Sequence, residues 1–335
     1  MKAVVIRAPG GPEALELSEW PSPTVGAGQV RVAVRGCGVC YRDVIDRQGK
    51  YPFMRRPVVT GHEWAGEIVE VGAGVVGFAV GDRVASVHRP ACGECPACLG
   101  GDEIRCGSPV MYGLTVDGGY AEEVLAWVGS LVKVPAAVPL DEAAVLHCTA
   151  AVALRALRHH ARLVAGETVL ITGASGGVGV YAIQVAKILG ARVLAVTSQE
   201  AKVAALKALG VDEVIVAAGE FHKGLSGAAD VALELVGAPT FNSALRTLRP
   251  GGRVVIVGNV TGERLEVNPG YLILKELSVA GSSSATRAEL GEVLGWAVDG
   301  RLRPVIAARL PLGDAADAQR RLETRAVVGR QVLIP

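Results

Sequence analysis

The stretch that most constrains the fold runs from Glu167 to Thr197. Residues 168–172 form a short β-branched apolar run, the pattern of a strand buried on both faces. A glycine cluster follows at Gly173, Gly176, Gly177 and Gly179. Val180, Ile183, Val185, Ala186 and Leu189 then recur at helical spacing until Gly190 stops the helix. Residues 192–196 predict a second buried strand. Strand, glycine turn, helix and strand make a parallel unit whose turn aims free backbone N–H groups at an anion. Ala174 holds the first glycine place of G-x-G-x-x-G, while Gly176 and Gly179 keep the close backbone approach. The residues predicted to cradle a dinucleotide are Thr172, Ala174, Ser175, Gly176, Gly177, Val178 and Gly179. A plain parallel sheet with a Gly-rich turn is the competing reading.

The end of the second strand chooses the cofactor. An NAD site usually ends that strand in Asp or Glu, whose carboxylate accepts from the ribose 2′-hydroxyl. Here the end is Thr197, Ser198 and Gln199, with Lys202 one turn on. Hydroxyls and an ammonium suit a 2′-phosphate, which a carboxylate would repel, so NADP(H) is the expectation. Lys202 equally fits a solvated helix position. Farther on, residues 214–216, 231–235 and 254–257 continue the parallel sheet, with helices near 200–209 and 240–248 between them. Val236, Gly258 and Asn259 lie just beyond strand ends, where a doubly wound sheet holds its ligand.

A chain of 335 residues predicts two domains with ample core. No apolar run approaches a membrane span, and the start is a strand rather than a signal peptide, so a cytoplasmic protein is expected. With 34 basic and 33 acidic side chains, nothing argues for nucleic acid or an anionic membrane as partner. Residues 1 to about 140 read as β-rich: strand-like runs at 30–34, 65–71, 83–87 and 120–125 alternate with Gly- and Pro-rich turns.

Seven cysteines, four of them packed into residues 92–106, do not look like a disulfide framework. Cys92, Cys95, Cys98 and Cys106 can close a tetrahedron on one lobe. Zn²⁺ accepts four thiolates at about 2.3 Å and keeps no open position, which makes the ion structural. An iron–sulfur cluster would use the same ligands, but nothing else suggests electron transfer. A second constellation is dispersed: Cys40 followed by Tyr41, Arg42 and Asp43; Gly61-His62-Glu63 before a strand-like run; and His147-Cys148-Thr149. Alone, His62 reads as a satisfied turn histidine and Cys148 as a small core residue.

Together, these pieces resemble the zinc-containing medium-chain alcohol dehydrogenase superfamily from end to end. The resemblance rests on Gly61-His62-Glu63-x-x-Gly66, the four-cysteine lobe and the nucleotide turn. It implies that Cys40, His62 and Cys148 bind a catalytic Zn²⁺ with Glu63 in or near its shell, and that the four lobe cysteines hold a structural Zn²⁺. It also implies an α/β fold in which a Rossmann doubly wound sheet (143–282) is inserted into a β-rich GroES-like catalytic domain (1–142 and 283–335). The edge at residues 277–280 forms the subunit contact in this family, so a homodimer or homotetramer is implied. Within the superfamily, Cys40-Tyr-Arg-Asp43, residues 172–179, 258–260 and 270–275 are most similar to an archaeal-type acryloyl-CoA reductase branch.

The pattern departs from the family at one place. Two residues after the first catalytic cysteine, alcohol dehydrogenases carry a Ser or Thr that relays the alcohol proton, often to a histidine three residues later. Here those places hold Arg42 and Ile45, and neither can carry that proton. A cation beside three ligands also opposes Zn²⁺, unless Arg42 turns to solvent, to the cofactor pyrophosphate, or to Asp43 or Glu63. Two schemes follow. Either zinc polarises a carbonyl, or Arg42 itself stabilises the developing oxyanion. Tyr41 reads as packing or as a proton donor, Asp43 as support for the metal loop, and Cys37, His147, His159 and His160 as structural or exposed.

The expected activity is NADP(H)-dependent reduction of a ketone or aldehyde. Reduction of an enoyl thioester, with Arg47, Lys50, Arg55 and Arg56 meeting a CoA, is the alternative. Loss of catalysis in a surviving NADPH-binding protein is the second alternative.

Overall fold

The computed structural model describes residues 1–51 and 53–335. The chain forms two compact units: Met1–Ala151 with Ser284–Pro335, and Val152–Ser283.

The second unit is built on six parallel strands. Their spatial order is Glu213–Val216, Arg192–Thr197, Thr168–Ile171, Ala229–Glu234, Leu248–Ile256 and Ser278–Gly281. Counted along the chain this is third, second, first, fourth, fifth, sixth, the Rossmann order. The winding reverses between Thr168–Ile171 and Ala229–Glu234, and ligands bind beyond the strand ends at such a reversal. Val169, Leu170, Ile171, Val193, Ala195, Val231 and Leu233 are buried on both faces of the sheet, which explains their unbroken apolar runs. The glycine turn opens the helix Gly179–Ile188.

In the first unit a seven-stranded sheet centres on Gln29–Val39. This long strand pairs antiparallel with Glu63–Val71, Glu123–Trp127 and, from the far end of the chain, Arg330–Ile334. The register sets Gly38 opposite Glu63, and Val39 opposite Gln331. Cys40, Glu63 and Arg330 therefore arrive at one corner from three distant parts of the sequence. Trp64, Ile68, Tyr112 and Tyr120 fill the core beneath.

Among the helical stretches of this unit that the sequence does not predict, two carry site residues. Tyr41–Arg47 is a short helix in the β-rich part, started by Cys40. Leu140–Leu146 continues as a π-helical turn, His147–Ala151, with Cys148 inside it. Residues 143–147 are buried on every side, so no polar face marks a helical period in the sequence.

Gly66 shows how tightly this sheet is built. A Cβ there would lie 2.0 Å from the carbonyl oxygen of Ala33 on the neighbouring strand. Gly66→Ala is expected to cost about 1–3 kcal/mol of stability, the range for overpacking. An unchanged denaturant midpoint would contradict the close approach.

Candidate functional site

The corner of the first unit gathers four donors. A sulfur from each of Cys40 and Cys148, a ring nitrogen of His62 and a carboxylate oxygen of Glu63 all lie within 4.8 Å of one another. Cys148 Sγ is 3.5 Å from His62 Nε2. The donor chemistry fits Zn²⁺, which takes thiolate and imidazole together. The Cys148 thiol beside Cys40 pulls the Cys40 thiol well below its ordinary value; burial opposes this and the Arg330 charge assists it.

Each residue of the Gly-His-Glu motif has a local reason. Gly61 sits at φ +93°, and a Cβ on it would strike the Tyr120 ring at 2.3 Å. Tyr120 thereby reaches inward and donates its hydroxyl to Asp43 Oδ2 at 3.0 Å. The same oxygen accepts from the Cys40 backbone N–H at 2.9 Å, while Asp43 Oδ1 lies 2.9 Å from His62 Nδ1. With Nδ1 protonated toward Asp43, Nε2 is left as a lone pair facing the two sulfurs, the tautomer a metal ligand needs. Glu63 is fully buried and its Oε1 pairs with Arg330 at 2.9 Å. Burial still drives the Glu63 carboxyl up, to about 8, against the pull of Arg330. Gly38 gives it room, since a Cβ there would meet Glu63 Oε2 at 2.3 Å.

Arg42 pairs with neither Asp43 nor Glu63. Its Nε lies 3.1 Å from Asp46 Oδ2, one turn along the same helix, and an Nη donates to the Tyr112 carbonyl at 3.2 Å. Asp46 is fully buried, and burial pushes its carboxyl up to about 6 despite Arg42. The guanidinium is thus partnered on two sides, which blunts its repulsion of a metal.

The basic residues offered for a CoA need correction. Arg47 is interior, 1 % exposed at its side chain, and pairs with Glu323 at 2.7 Å. It runs inward because its helix turns that face toward Ala315–Glu323. Arg55 pairs with Asp117, and Arg56 donates to the Asp46 carbonyl at 3.5 Å. Only Lys50 of the four is an exposed base without a partner among the described residues.

Tyr41 is half-buried at the first residue of its helix, and Cys37 is a buried thiol raised by burial. His147 Nε2 lies 3.2 Å from the Ala285 carbonyl. His159 and His160 meet edge-on in the second unit, with ring centroids 4.9 Å apart at 86°.

The lobe cysteines form a separate group, all four sulfurs within 4.8 Å. Cys95 and Cys98 are 3.5 Å apart and Cys92 and Cys98 3.9 Å, too far for a disulfide. Sulfurs held at about 2.3 Å from a tetrahedral Zn²⁺ lie about 3.8 Å apart, so the set fits that ion. Within the lobe, Glu103 accepts from the Arg287 backbone at 3.2 Å and from its Nε at 3.0 Å, tying the loop to the helix Arg287–Val298.

In the second unit, the turn before Gly179–Ile188 leaves donors free. The N–H groups of Gly177 and Val178 donate to nothing among the described residues, as expected of a helix start that receives an anion. Gly179 is required there, since a Cβ would lie 2.5 Å from the carbonyl oxygens of Gly173 and Ala174. The Thr172 hydroxyl is spent on Glu234 Oε1 at 2.8 Å. That oxygen also receives the N–H groups of Val236 at 2.8 Å and Gly237 at 2.9 Å, and the Thr240 hydroxyl at 2.7 Å. Glu234, which sequence reasoning passed over, therefore shapes the loop carrying Val236. Gly258 crosses close to it, a Cβ there meeting the Leu235 carbonyl at 2.1 Å, and Asn259 Oδ1 accepts from Gly262 at 3.1 Å. Thr197 Oγ1 lies 3.3 Å from Ser175 Oγ; Ser198 is exposed, and Lys202 is buried. Glu234, Tyr120, Arg330 and the imidazole of His88 carried no motif that would have exposed them in the sequence.

Comparison with known proteins agrees with this geometry. Residues 26–136 match the alcohol dehydrogenase GroES-like domain, and residues 177–299 match the zinc-binding dehydrogenase family. The chain is 40 % identical over 334 residues to an acryloyl-coenzyme A reductase of Metallosphaera sedula, covering 99 % of each. Among solved structures it is similar to AibC, with 45 % identity, a TM-score of 0.92 and coverage of 100 % of this chain and 96 % of that one. It also resembles a cobalt- and zinc-bound thermostable alcohol dehydrogenase from Pyrobaculum aerophilum, with 31 % identity, a TM-score of 0.91 and coverage of 100 % and 99 %.

Two zinc ions per chain are expected. Cys106→Ser should lose the lobe ion and lower thermal stability. Asp43→Asn should keep the lobe ion and weaken the other by about 10–100-fold, as other outer partners of metal ligands do. Elemental analysis after dialysis against a graded chelator separates the two; both variants keeping two tight ions would contradict the assignment.

Proposed function

The chain belongs to the zinc-binding medium-chain alcohol dehydrogenase family and is an oxidoreductase of it, and from that premise we propose that it reduces an α,β-unsaturated acyl thioester of the acryloyl-CoA type with NADPH. The observation that carries this reading is the seat of Arg42. Where the family pattern places a hydroxyl that exports an alcohol proton, this chain has a guanidinium fastened to Asp46 and to the Tyr112 carbonyl. An arginine does not release a proton in a protein. Interconversion of an alcohol and a carbonyl needs an oxygen-bound proton to move; saturating an alkene delivers its proton to carbon and needs no such exit. The full-length similarity to an acryloyl-coenzyme A reductase supports the same order of preference.

Cys40, His62 and Cys148 would hold the catalytic zinc, and Gly177 and Val178 would receive the cofactor pyrophosphate. Bound, the metal supplies a Lewis acid and the nicotinamide a hydride. Asp43 keeps His62 in the ligating tautomer, and Arg330 holds Glu63 beside the donor set. NADPH is preferred because no carboxylate ends the strand Arg192–Thr197, and Ser198 stands exposed beyond it. Carbonyl reduction is the second reading, because the Cys40–His62–Cys148 donor set would polarise a ketone or aldehyde equally well.

Subunit contact is read at the sheet edge Ser278–Gly281. Val279 there is exposed, as are Ile273 at 74 % and Leu274 at 85 % in the preceding helix Pro269–Lys275. A dimer or tetramer is expected in sedimentation, and a monomer at micromolar concentration would remove this contact.

For the reaction, kcat/KM with acryloyl-CoA is expected to exceed that for any member of a ketone and aldehyde panel by about 100-fold, a difference of about 2.7 kcal/mol. NADPH is expected to outperform NADH. Faster turnover of a ketone would select carbonyl reduction, and equal use of the two cofactors would defeat the NADP assignment.

A further inference from the structure

Beside the donor set stands an imidazole with no assigned task. His88 follows the strand Arg83–Ser86, and its ring meets that of His62 edge-on, with centroids 5.7 Å apart at 71°. His147 also lies near, but its Nε2 is taken up by the Ala285 carbonyl. Neither ring nitrogen of His88 makes a hydrogen bond among the described residues, and the side chain is half-buried. A polar ring in this state, next to a metal-type cluster, has hydrogen-bonding capacity left for a ligand.

The backbone around His88 is held firmly. Its carbonyl accepts from the Tyr112 N–H at 3.3 Å, and the Tyr112 carbonyl accepts from Arg42 at 3.2 Å. Tyr112 is itself fixed: its hydroxyl lies 2.9 Å from Ser130 Oγ, and its ring packs on Trp64 with centroids 5.3 Å apart. Arg42 and His88 thus hang from opposite sides of one buried residue. An imidazole carries at least one N–H and can polarise a carbonyl without surrendering its proton.

We propose that His88 is a catalytic residue that donates its ring N–H to the carbonyl oxygen of the thioester. The inference rests on the enoyl-thioester reading given above. As the substrate β-carbon gains hydride, the alkene π pair shifts and the carbonyl oxygen gains enolate charge. His88 holds that oxygen and keeps its own proton. The enolate pair then returns to the α-carbon, which takes a proton from water, leaving the saturated thioester and NADP⁺. A donor aimed at the oxygen acts most strongly when the charge is greatest, so it lowers the barrier more than it tightens binding.

His88→Phe keeps an aromatic ring against His62 and removes the N–H; His88→Gln restores a side-chain N–H. With acryloyl-CoA and NADPH, the Phe variant is expected to lose about 10–100-fold in kcat, within the scale set by loss of one oxyanion donor. Its KM and its calorimetric affinity for propionyl-CoA should change by no more than about threefold, since ground-state binding is largely spared. The Gln variant should recover most of kcat, and both should keep two zinc ions and the parent melting temperature. A Phe variant as fast as the parent overturns the proposal. So does a Gln variant as slow as Phe, or loss of the second zinc from Phe, which would make His88 a mere prop for His62. If the parent itself fails on acryloyl-CoA, the enoyl reading and this role fall together; an active parent with an indifferent Phe variant removes only His88.

Discussion

The contact between Asp43 and His62 Nδ1 is the interaction on which the rest of the site depends. It decides which nitrogen of the imidazole faces Cys40 and Cys148, and so whether three soft donors can converge. Asp43 can serve only because it is pinned on its other oxygen by the Cys40 N–H and the Tyr120 hydroxyl. Tyr120 in turn occupies the space that a side chain at position 61 would fill. A missing Cβ, a phenol, a carboxylate and an imidazole thus form one chain of dependence across the sheet.

Around that chain lie two buried ion pairs, Arg42 with Asp46 and Arg330 with Glu63. Such pairs are poor sources of stability, because desolvation offsets most of the attraction. Their value here is positional. Arg330 partly offsets the burial that drives the Glu63 carboxyl up, and Asp46 occupies a cation that would otherwise oppose a metal beside two sulfurs. That seat engages Arg42 Nε with Asp46 and one Nη with the Tyr112 carbonyl, so in the scheme without metal an oxyanion would have to use the guanidinium N–H groups that remain.

The two metal-type clusters differ in how they are made. Cys92, Cys95, Cys98 and Cys106 come from one short loop with little apolar content, and their sulfurs exhaust a tetrahedral shell. The other cluster draws on a helix start, a strand start and a π-helical turn.

The sequence by itself determined what depends on neighbours along the chain. The strand, glycine turn and helix of 168–188 follow from local periodicity and from the backbone freedom of glycine. The lobe follows from cysteine spacing, and the Gly61–Gly66 motif marked two donors, His62 and Glu63, and the glycines around them. Tertiary structure alone decided what depends on register. Arg330 meets Glu63 across 267 residues because two strands flank Gln29–Val39, and no local pattern encodes that adjacency. The choice of Asp46 as the partner of Arg42, the inward turn of Arg47, and the nearness of His88 to His62 are of the same kind. Each is fixed by which face of a helix or strand end the packed core leaves available, and a side chain's type does not reveal its face until the core is assembled.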